Sequence, residues 1–454
     1  MVLWHPSYSM IERKPEAGRK AFLIPPLVLS TSFVLFILLG TVLLKLPIAT
    51  QEPITWFDSL FTATSAVTVT GLVVVDTGTQ FTLFGQTVIA ILIQCGGLGL
   101  MTFAIVTLMA LGGKIGYLER SIAQEAFNQT DASTIVATAK SVMIFALLVE
   151  SIGIVTLSWY WSAELGWQTS LFHGFFYTIS AFNNAGFALS ADSLMPYVDD
   201  PVVNIVITGL FITGGLGFSV WMDLKRHRSW TKLTVYSRIM IISTVVINLI
   251  ALIAIYLIEY GNPNTLAPLS EGGKVWAAWF QAVTPRTAGF NTLAIDQLED
   301  ATTAIVLLLM FIGGGSMSTA SGVKVVTIVV LLLAAYSYLK RDEQVYVFKR
   351  EIAQETIKKA LALTLISAVV IWLAMFVLLL SEEASPLDIV FEAVSALGTV
   401  GLSRGLTGNL SSVGEVVIIL IMFMGRLGPL TLVYFLAMPR QKKIRFAATK
   451  LPIG

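Results

Sequence analysis

The chain is poor in the residues from which metal centres, disulfide frameworks and catalytic clusters are built. It has one cysteine, Cys95, and three histidines among 454 residues, so it offers no disulfide framework and no Cys/His group with metal-ligand spacing. Charged residues make up 13% of the chain, whereas an ordinary soluble domain carries about a quarter. The apolar stretches hold no paired carboxylates, histidine cluster or activated nucleophile. We therefore predict a protein that is not an enzyme, has no organic cofactor and binds no nucleic acid.

Apolar residues dominate instead. They account for 56% of the chain, and the mean hydropathy is +0.80. Several uncharged runs reach the length of about 20 residues that a helix needs to cross a bilayer; they lie at residues 21–44, 77–113, 201–222, 239–258 and 360–381. The first run is long enough to remain as a span rather than to be cleaved as a signal. The predicted fold class is an all-α polytopic membrane protein.

Basic residues are concentrated in five clusters. The clusters lie at residues 13–20, 114–140, 225–238, 340–359 and 440–450. By the positive-inside rule these segments face the cytoplasm, which makes residues 1–21 a cytoplasmic N-terminus and residues 439–454 a cytoplasmic tail. Acidic residues concentrate in the intervals assigned to the outside. There they either raise the local cation concentration through their field or are ordinary solvated loop charges.

A short segment that ends in glycine followed by Leu or Phe occurs four times. The copies are SAVTVTGL at 65–72, SAFNNAGF at 180–187, VTPRTAGF at 283–290 and SALGTVGL at 395–402. Their glycines, Gly71, Gly186, Gly289 and Gly401, stand 115, 103 and 112 residues apart. An aromatic residue lies ten positions before each glycine, and in the third copy it is Trp279. A fixed period with a recurring landmark indicates one structural unit repeated along the chain.

The four copies predict a ring of backbone loops at membrane depth. Irregular backbone is tolerated there only where it lines a cavity or is buried in protein, and glycine allows the turns that direct successive carbonyls inward. Four such loops would replace the hydration shell of a cation with carbonyl oxygens. The carboxyl ends of the preceding short helices would add partial negative charge. The alternative is that the glycines are ordinary turns of re-entrant loops.

The predicted selectivity filter takes three residues from each loop. They are Val69, Thr70, Gly71, Asn184, Ala185, Gly186, Thr287, Ala288, Gly289, Thr399, Val400 and Gly401. K⁺ is expected at the backbone carbonyl oxygens of Thr70, Ala185, Ala288 and Val400. No Asp or Glu lies in these segments, which disfavours a carboxylate ring of the Ca²⁺ type. Because the four copies differ, the filter would be only approximately fourfold.

Each interval between basic clusters must cross the membrane and return. We predict four tandem helix–pore-loop–helix repeats around a pseudo-fourfold pore, at residues 22–113, 135–225, 235–339 and 358–438. The short helices before the glycine loops are predicted at 55–66, 168–181, 273–283 and 386–396. The returning helices are predicted at 82–111, 202–225, 302–339 and 412–437. Each returning helix carries a second glycine cluster, which indicates close approach to the short helix and loop of the same repeat.

The third returning segment differs from the other three. Residues 313–322 read GGGSMSTASG and are followed by Lys324, and a helix is disfavoured by so much glycine and serine. We interpret this stretch as a flexible intramembrane gate beneath the third filter loop; the alternative is a packing break that lets helices approach. The predicted gate residues are Gly313, Gly314, Gly315, Ser316, Ser318, Thr319, Ser321, Gly322, Lys324 and Arg426.

Three charged residues lie at membrane depth, where a charge is costly and normally paired or functional. Arg426 is predicted to face the gate loop or the carbonyl end of a short helix. It would then act as a barrier to cations or, alternatively, make a structural contact with Glu392 or with backbone carbonyls. Arg286 is expected to point away from the pore and to bond the backbone behind its loop. Glu150 is interpreted as a packing or interface residue.

The loops TATSAVTVTGL and SAFNNAGF, the segment GGGSMSTASGVK and the stretch MGRLGPLTL resemble the Trk/Ktr/HKT superfamily of K⁺ transporters, and in detail its bacterial Ktr branch. The similarity extends from about residue 21 to residue 438. It implies that the four recurring glycines are filter glycines. It also implies K⁺ selectivity, because serine at the first of these positions accompanies Na⁺ preference in the plant branch. The third loop departs from its siblings at Thr284 and Pro285, so its geometry is expected to differ locally.

The resemblance further implies partners and regulation. Superfamily members form homodimers, and those of the Ktr type bind a cytosolic nucleotide-binding regulatory ring of the KtrA type, with Na⁺ as an activator. The chain itself has no P-loop and no dinucleotide-binding fingerprint, which is consistent with a separate regulatory subunit. The expected location is the bacterial plasma (inner) membrane.

The predicted function is potassium uptake through a carbonyl-lined filter, gated by the intramembrane loop and by the regulatory subunit, with dependence on Na⁺. The alternative is a Na⁺-coupled secondary symporter with an alternating-access site, a class that often has inverted repeats and broken helices. The repeats here are parallel, because each connection returns to the cytoplasm, and this disfavours the alternative.

Overall fold

The computed structural model describes residues 25–99 and 135–428, with side chains described for residues 30–99 and 137–428. This part of the chain is almost entirely helical. Its α-helices are α1 Pro25–Leu44, α2 Trp56–Thr68, α3 Leu83–Gly97, α4 Ile135–Leu165, α5 Trp167–Phe182, α6 Pro201–Leu216, α7 Phe218–Arg226, α8 Val235–Glu259, α9 Glu271–Val283, α10 Asp300–Phe311, α11 Val325–Lys340, α12 Gln354–Ser381, α13 Pro386–Gly398 and α14 Ser412–Leu427. Shorter turns occupy Thr77–Gln80, Met195–Tyr197, Trp230–Lys232, Ile295–Gln297 and Thr407–Asn409.

The same order of elements occurs four times. An outer helix (α1, α4, α8 or α12) is followed by a half-helix (α2, α5, α9 or α13), a glycine loop, a short turn and a returning helix (α3, α6, α10 or α14). Among the described residues, Ala137–Leu165, α8 and α12 are long and apolar enough to cross a membrane, and the bent pair α6–α7 passes the same test together. A two-stranded antiparallel hairpin, β1 Tyr346–Val347 with β2 Arg350–Glu351, separates α11 from α12.

Contacts between the units run around a closed circle. Each half-helix packs on its own outer helix, and each returning helix also packs on the half-helix of the following unit: α3 on α5, α6 on α9, α10 on α13, and α14 back on α2. The carboxyl halves of the half-helices are buried at the centre of this arrangement. The outer helices expose large apolar side chains such as Trp159, Leu257 and Leu380, as expected of surfaces that face lipid.

Three of the half-helices begin at a side-chain cap. The hydroxyl oxygens of Thr55, Ser270 and Ser385 each accept a hydrogen bond from a backbone N–H in the first turn, which satisfies donors that a helix leaves free at its start. The fourth half-helix starts after Gly166 without such a cap. The half-helices begin and end within about two residues of the predicted positions, because cap residues and the glycine loops define both ends in the sequence.

The returning helices end at the second glycine cluster, where the sequence predicted continuous helices in the first, second and fourth units and a break in the third. In the second unit α6 stops at Leu216, and α7 leaves at an angle of 88° after Gly217, whose φ is +102°. The predicted helix 202–225 is therefore two helices. In the third unit α10 and α11 are separated by residues 312–324, which agrees with the break that the glycine- and serine-rich stretch predicted within 302–339. Residues 100–111 and 429–437, predicted as the remainder of the first and fourth returning helices, lie outside the described residues.

Close packing explains the glycines at these positions. A methyl group built on Gly96, Gly214 or Gly425 would collide with a backbone carbonyl oxygen at the end of the half-helix in the same unit, belonging to Val67, Phe182 and Leu397 respectively. The predicted close approach to the half-helix is thus confirmed for these three units. The same clusters also terminate helices, a consequence that the sequence interpretation missed.

Candidate functional site

The four recurring glycines lie beside one another in a closed ring. A methyl group built on Gly71 would lie 3.1 Å from the Cα atom of Gly186, and one built on Gly186 would lie 2.7 Å from that of Gly289. From Gly289 the corresponding distance to the Cα atom of Gly401 is 3.4 Å, and from Gly401 back to Gly71 it is 3.1 Å. The ring follows chain order, and its spacing leaves no room for side chains at these positions.

Carbonyl oxygens lie between neighbouring glycines of the ring. A methyl group built on Gly186 would lie 3.0 Å from the carbonyl oxygen of Ala288. The other three glycines face the equivalent atom of the next loop even more closely: Gly71 faces the carbonyl oxygen of Ala185, Gly289 that of Val400, and Gly401 that of Thr70. These four carbonyls are the ones that the sequence assigned to the filter. The structure therefore brings all four together around the glycine ring.

The four loops share one backbone conformation. Two residues before each glycine, the chain adopts the left-handed region, with φ values of 57°, 59°, 74° and 48° at Val69, Asn184, Thr287 and Thr399. The glycines themselves have φ values of 90°, 70°, 80° and 94° in chain order. A left-handed conformation is strained for β-branched residues such as Val and Thr, and such strain concentrates at functional sites. The residue types at these four positions did not predict the left-handed conformation.

Three of the loops are closed by the same hydrogen bond. The backbone N–H of the residue before the glycine donates to the carbonyl of a serine five residues earlier, at 2.8 Å in each case: Thr70 to Ser65, Ala185 to Ser180, and Val400 to Ser395. The hydroxyl oxygens of Ser65 and Ser395 also accept from the backbone N–H groups of Gly71 and Gly401, at 3.0 and 3.2 Å. The serines that open the repeated motif thus fix the loop geometry.

The third loop is shorter by one residue. Its closing bond runs from Ala288 to Thr284, only four residues earlier, at 2.9 Å, and the Thr284 hydroxyl donates to the carbonyl of Phe290. The buried aromatic residue of this unit is Phe280, whereas Trp279 is only half-buried. The predicted match of Trp279 to the aromatic residues of the other units is therefore off by one position. The local departure expected at Thr284 and Pro285 is a one-residue deletion relative to its siblings.

Arg286 points behind the third loop. Its guanidinium donates to Asn248 Oδ1 at 3.1 Å and to Thr244 Oγ1 at 3.4 Å, both on the outer helix α8. The expectation that it turns away from the ring agrees with these contacts. The expectation that it bonds backbone atoms is wrong, because α8 supplies polar side chains at this depth.

Residues 312–324 form a closed loop that contacts the second glycine loop through Thr319 and Asn184; we call it the gate loop after its predicted role. Its neck is held by Gly313 N–H to the Val323 carbonyl at 2.8 Å and by Val325 N–H to the Gly314 carbonyl at 3.2 Å. It also bonds the break between α6 and α7, through Gly315 N–H to the Gly215 carbonyl at 2.8 Å. The interrupted returning helix of the second unit thus supplies a backbone carbonyl that accepts a hydrogen bond from the interrupted segment of the third unit.

Individual gate-loop residues have defined partners. Ser316 bonds the Tyr236 hydroxyl, with its N–H donating at 2.7 Å, and Ser318 Oγ donates to the Gly315 carbonyl at 2.7 Å. Lys324 Nζ donates to the Ala320 carbonyl at 2.8 Å. Gly322 adopts a φ of +69°, which glycine tolerates without a Cβ penalty. These contacts describe an ordered loop; whether it acts as a gate or as a packing break stays a prediction.

Arg426 connects the gate loop to the first unit. Its Nη1 donates to the Thr319 carbonyl at 2.6 Å and to Ser321 Oγ at 3.1 Å. Its Nη2 donates to the Gly97 carbonyl at 3.0 Å and to the Gly96 carbonyl at the end of α3, where a cation is favoured by the helix dipole. The predicted contact with the gate loop is observed, and the other backbone carbonyls that Arg426 reaches belong to the returning helix α3 rather than to a short helix. Contact with backbone carbonyls was the structural alternative.

Glu392 binds Ser403 Oγ at 2.9 Å and the Thr407 hydroxyl instead of Arg426. The alternative of an Arg426–Glu392 salt bridge is therefore wrong. Whether Arg426 acts as a barrier to cations stays a prediction.

Glu150 belongs to a buried polar cluster between the first and second units. Its carboxylate accepts from Gln94 Nε2 at 2.9 Å and from Asn183 Nδ2 at 3.3 Å, and Asn183 Nδ2 also donates to Gln94 Oε1 at 2.6 Å. The location agrees with the interpretation of Glu150 as an interface residue. The spacing of these three residues in the sequence gave no indication that they meet.

Comparison with known proteins identifies relatives along nearly the whole chain. The family model TrkH, described as a cation transport protein, matches residues 21–445. The chain is 49% identical over 422 residues to the Ktr system potassium uptake protein B of Bacillus subtilis, covering 93% of this chain and 95% of that protein. It is 35% identical over 420 residues to the potassium/sodium uptake protein NtpJ of Enterococcus hirae, covering 91% and 93%.

A solved structure shows the same fold. The crystal structure of the potassium transporter TrkH from Vibrio parahaemolyticus matches with a TM-score of 0.72 and 21% identity, covering 94% of this chain and 86% of that one. The family model and the relatives confirm the resemblance drawn from the loop motifs. Within the part of the chain that the structure describes, no group of three His, Cys, Asp or Glu side chains is placed to hold a metal ion.

Proposed function

The chain belongs to the TrkH family of cation transport proteins, and from this premise we propose that it carries K⁺ into the cell through a filter lined by backbone carbonyls. The observation that carries the proposal is the closed ring of Gly71, Gly186, Gly289 and Gly401, with a carbonyl oxygen between each neighbouring pair. The potassium uptake protein that is 49% identical to this chain supports K⁺ as the ion.

In this proposal the four loops form a pseudo-fourfold pore. The carbonyls of Thr70, Ala185, Ala288 and Val400 replace the water molecules around a K⁺ ion. The half-helices end just before the loops, so their carboxyl ends add partial negative charge near the ion. The ligands are neutral oxygens on a backbone that hydrogen bonds and tight glycine contacts hold in place. Such a site binds a monovalent cation without the strong attraction of a carboxylate ring, which favours rapid release.

The gate loop is proposed to close the pore on the cytoplasmic side. It lies against the second filter loop and carries Lys324, and Arg426 is bonded to it. Two basic side chains beneath a cation filter oppose the passage of cations by charge repulsion. Opening then requires the gate loop to move away. It must lose its contacts with α14 and with the break between α6 and α7. A channel-like pathway fits this arrangement better than an alternating-access symporter does, because the loops surround one axis.

Regulation is proposed to come from outside the chain. The name of the Bacillus subtilis relative places it in a Ktr system, and the Enterococcus hirae relative is named for sodium as well as potassium. We propose that the present chain forms a homodimer in the bacterial plasma membrane with both termini in the cytoplasm. We further propose that a KtrA-type nucleotide-binding ring and Na⁺ activate it. The basic segments at residues 225–238 and 340–359 are the proposed contacts with that ring.

The proposed function is tested by complementation of a bacterium that lacks its own K⁺ uptake systems. Cells that express this chain together with a KtrA-type subunit are expected to grow at K⁺ concentrations where the vector control does not, and addition of Na⁺ is expected to increase K⁺ uptake. Absence of growth with the protein present in the membrane would contradict the proposal.

A further inference from the structure

Thr319 lies at the tip of the gate loop and is held on three sides. Its N–H donates to the Gly214 carbonyl at 3.2 Å, and its carbonyl accepts from Arg426 Nη1 at 2.6 Å. Its hydroxyl donates to Asn184 Oδ1 at 2.8 Å, with the Phe182 carbonyl next at 3.2 Å. The hydroxyl contact is the one that reaches a side chain of the filter.

Asn184 is the left-handed residue of the second filter loop and differs from its three counterparts. Those are Val69, Thr287 and Thr399, whereas Asn184 alone carries an amide, and it is only 1% exposed. While Oδ1 accepts from the gate loop, Nδ2 donates to Thr287 Oγ1 at 3.4 Å. Thr287 is the equivalent left-handed residue of the third filter loop. One side chain therefore joins the gate loop to two adjacent filter loops.

Packing leaves Asn184 little freedom while the gate loop is in place. A methyl group built on Gly214 would lie 3.0 Å from Asn184 Oδ1 and 2.6 Å from Thr319 Oγ1, and one built on Gly215 would lie 3.4 Å from Asn184 Nδ2. The amide is thus enclosed by the break between α6 and α7 on one side and by the gate loop on the other. Withdrawal of the gate loop removes one of these walls and the hydrogen bond to Oδ1.

We propose that Asn184 is a positioning residue that couples the gate loop to the selectivity filter, so that ion discrimination depends on the Thr319–Asn184 contact. The proposal rests on the proposed filter and gate. When the contact is made, the left-handed conformation of the second loop and its link to the third are fixed, and the ring holds its spacing. When it is broken, the two loops loosen and the ring discriminates less well between K⁺ and Na⁺. Because coupling is reciprocal, occupancy of the ring by K⁺ also holds the gate loop closed more firmly.

The test is a double-mutant cycle that reads the ratio of residual K⁺ to Na⁺ uptake in cells that lack the KtrA-type subunit, where the gate loop of the wild type stays in place, with radioactive rubidium and sodium as tracers. Thr319→Val and Asn184→Leu each remove the contact and are expected to lower this ratio between about twofold and about tenfold, the range that one neutral hydrogen bond corresponds to. Thr319→Ser keeps the hydroxyl and is expected to have the same ratio of K⁺ to Na⁺ uptake as the wild type. Thr364→Val removes a hydroxyl that bonds only within α12 and serves as the control.

The double variant distinguishes coupling from two separate defects. If the residues act through one contact, Thr319→Val together with Asn184→Leu lowers the ratio no further than either change alone. A double variant whose effect equals the product of the single effects would overturn the proposal, and so would single variants that raise total uptake while leaving the ratio unchanged. Thr319→Ala, which only removes atoms, replaces Thr319→Val if the latter does not reach the membrane.

A second measurement reads the gate loop without transport. In a Cys95→Ala background, Ser316→Cys in the gate loop is expected to react faster with a thiol reagent when Asn184→Leu is present, and no faster when Thr364→Val is present. Equal labelling rates with and without Asn184→Leu would overturn the coupling, whatever ion the protein carries. Failure of wild-type K⁺ uptake would count against the proposed function instead, so the two failures are distinguishable.

Discussion

Replacement of Gly289 by serine is expected to abolish the preference for K⁺ over Na⁺ and to reduce K⁺ uptake by about 100-fold. A side chain at this position would meet the carbonyl oxygen of Val400 and would approach the Cα atom of Gly186 to 2.8 Å. The residue also adopts a φ of +80°, which costs a non-glycine residue about 1–3 kcal/mol. A total of about 3 kcal/mol placed on the filter corresponds to about 100-fold in an equilibrium constant. The change acts on the carbonyl that is proposed to bind the ion.

The measurement compares rubidium and sodium uptake at equal amounts of protein in the membrane. Gly209→Ala is the matched control, because Gly209 lies in α6 with open space around it and tests only the effect of adding a methyl group to a glycine. The control is expected to transport like the wild type. A Gly289→Ser protein that reaches the membrane and keeps the wild-type ion preference would remove the third loop from the filter.

Deletion of residues 313–322 is expected to raise K⁺ flux at least tenfold and to make it independent of the KtrA-type subunit. The ends of the deleted segment lie side by side, since Ile312 pairs with Val323, so a local rearrangement of these residues closes the gap. What is lost is the proposed obstruction beneath the ring together with its bonds to Arg426 and to the α6–α7 break. The pore would then lack its cytoplasmic gate.

Arg426→Gln gives the same test with less disturbance. The guanidinium makes charge-assisted hydrogen bonds to the Thr319 carbonyl and to the carboxyl end of α3, and each such bond contributes about 1.5–3 kcal/mol. Loss of even one shifts the closed–open equilibrium by about tenfold or more. Flux through proteoliposomes without any regulatory subunit measures the effect. If both variants show unchanged or lower flux with normal membrane levels, the gate loop does not close the pore.

The half-helices and the ring were accessible from the sequence because both depend on local signals. The half-helix α2 spans Trp56–Thr68, where cap residues and a glycine predicted 55–66, and α13 spans Pro386–Gly398, where 386–396 was predicted. The recurring glycines were recognisable because no other residue fits a ring this narrow. Each feature needs one residue type at one position, and such constraints remain visible in a single sequence.

Features that depend on distant contacts were not predictable. The 88° bend between α6 and α7 arises at a glycine that also suits close helix packing, so its sequence signal was ambiguous. The left-handed residues Val69 and Thr399 break local preference, since only the surrounding packing forces β-branched residues into that conformation. The partners of Arg426 lie 105 to 330 residues away in sequence. Its role as a cross-link therefore followed only from the fold.

The third loop shows how a one-residue shift can mislead a comparison of repeats. The match of Trp279 to aromatic residues ten positions before the other glycines was satisfied in the sequence. The fold instead buries Phe280, nine positions before Gly289, because the turn that closes this loop spans one residue fewer. In this loop Thr284 takes the place of the serine that closes each of the other three loops. Two adjacent aromatic residues made the two alignments equally acceptable before the fold was known.

The most direct measurement of the central claim is the location of bound ions in crystals of the protein grown with Tl⁺, a K⁺ substitute that scatters anomalously. We expect an anomalous peak on the axis of the ring, coordinated by the carbonyl oxygens of Thr70, Ala185, Ala288 and Val400, and its persistence when Na⁺ is present in excess over Tl⁺. An ion located elsewhere along the pathway, with the ring empty at saturating Tl⁺, would contradict it.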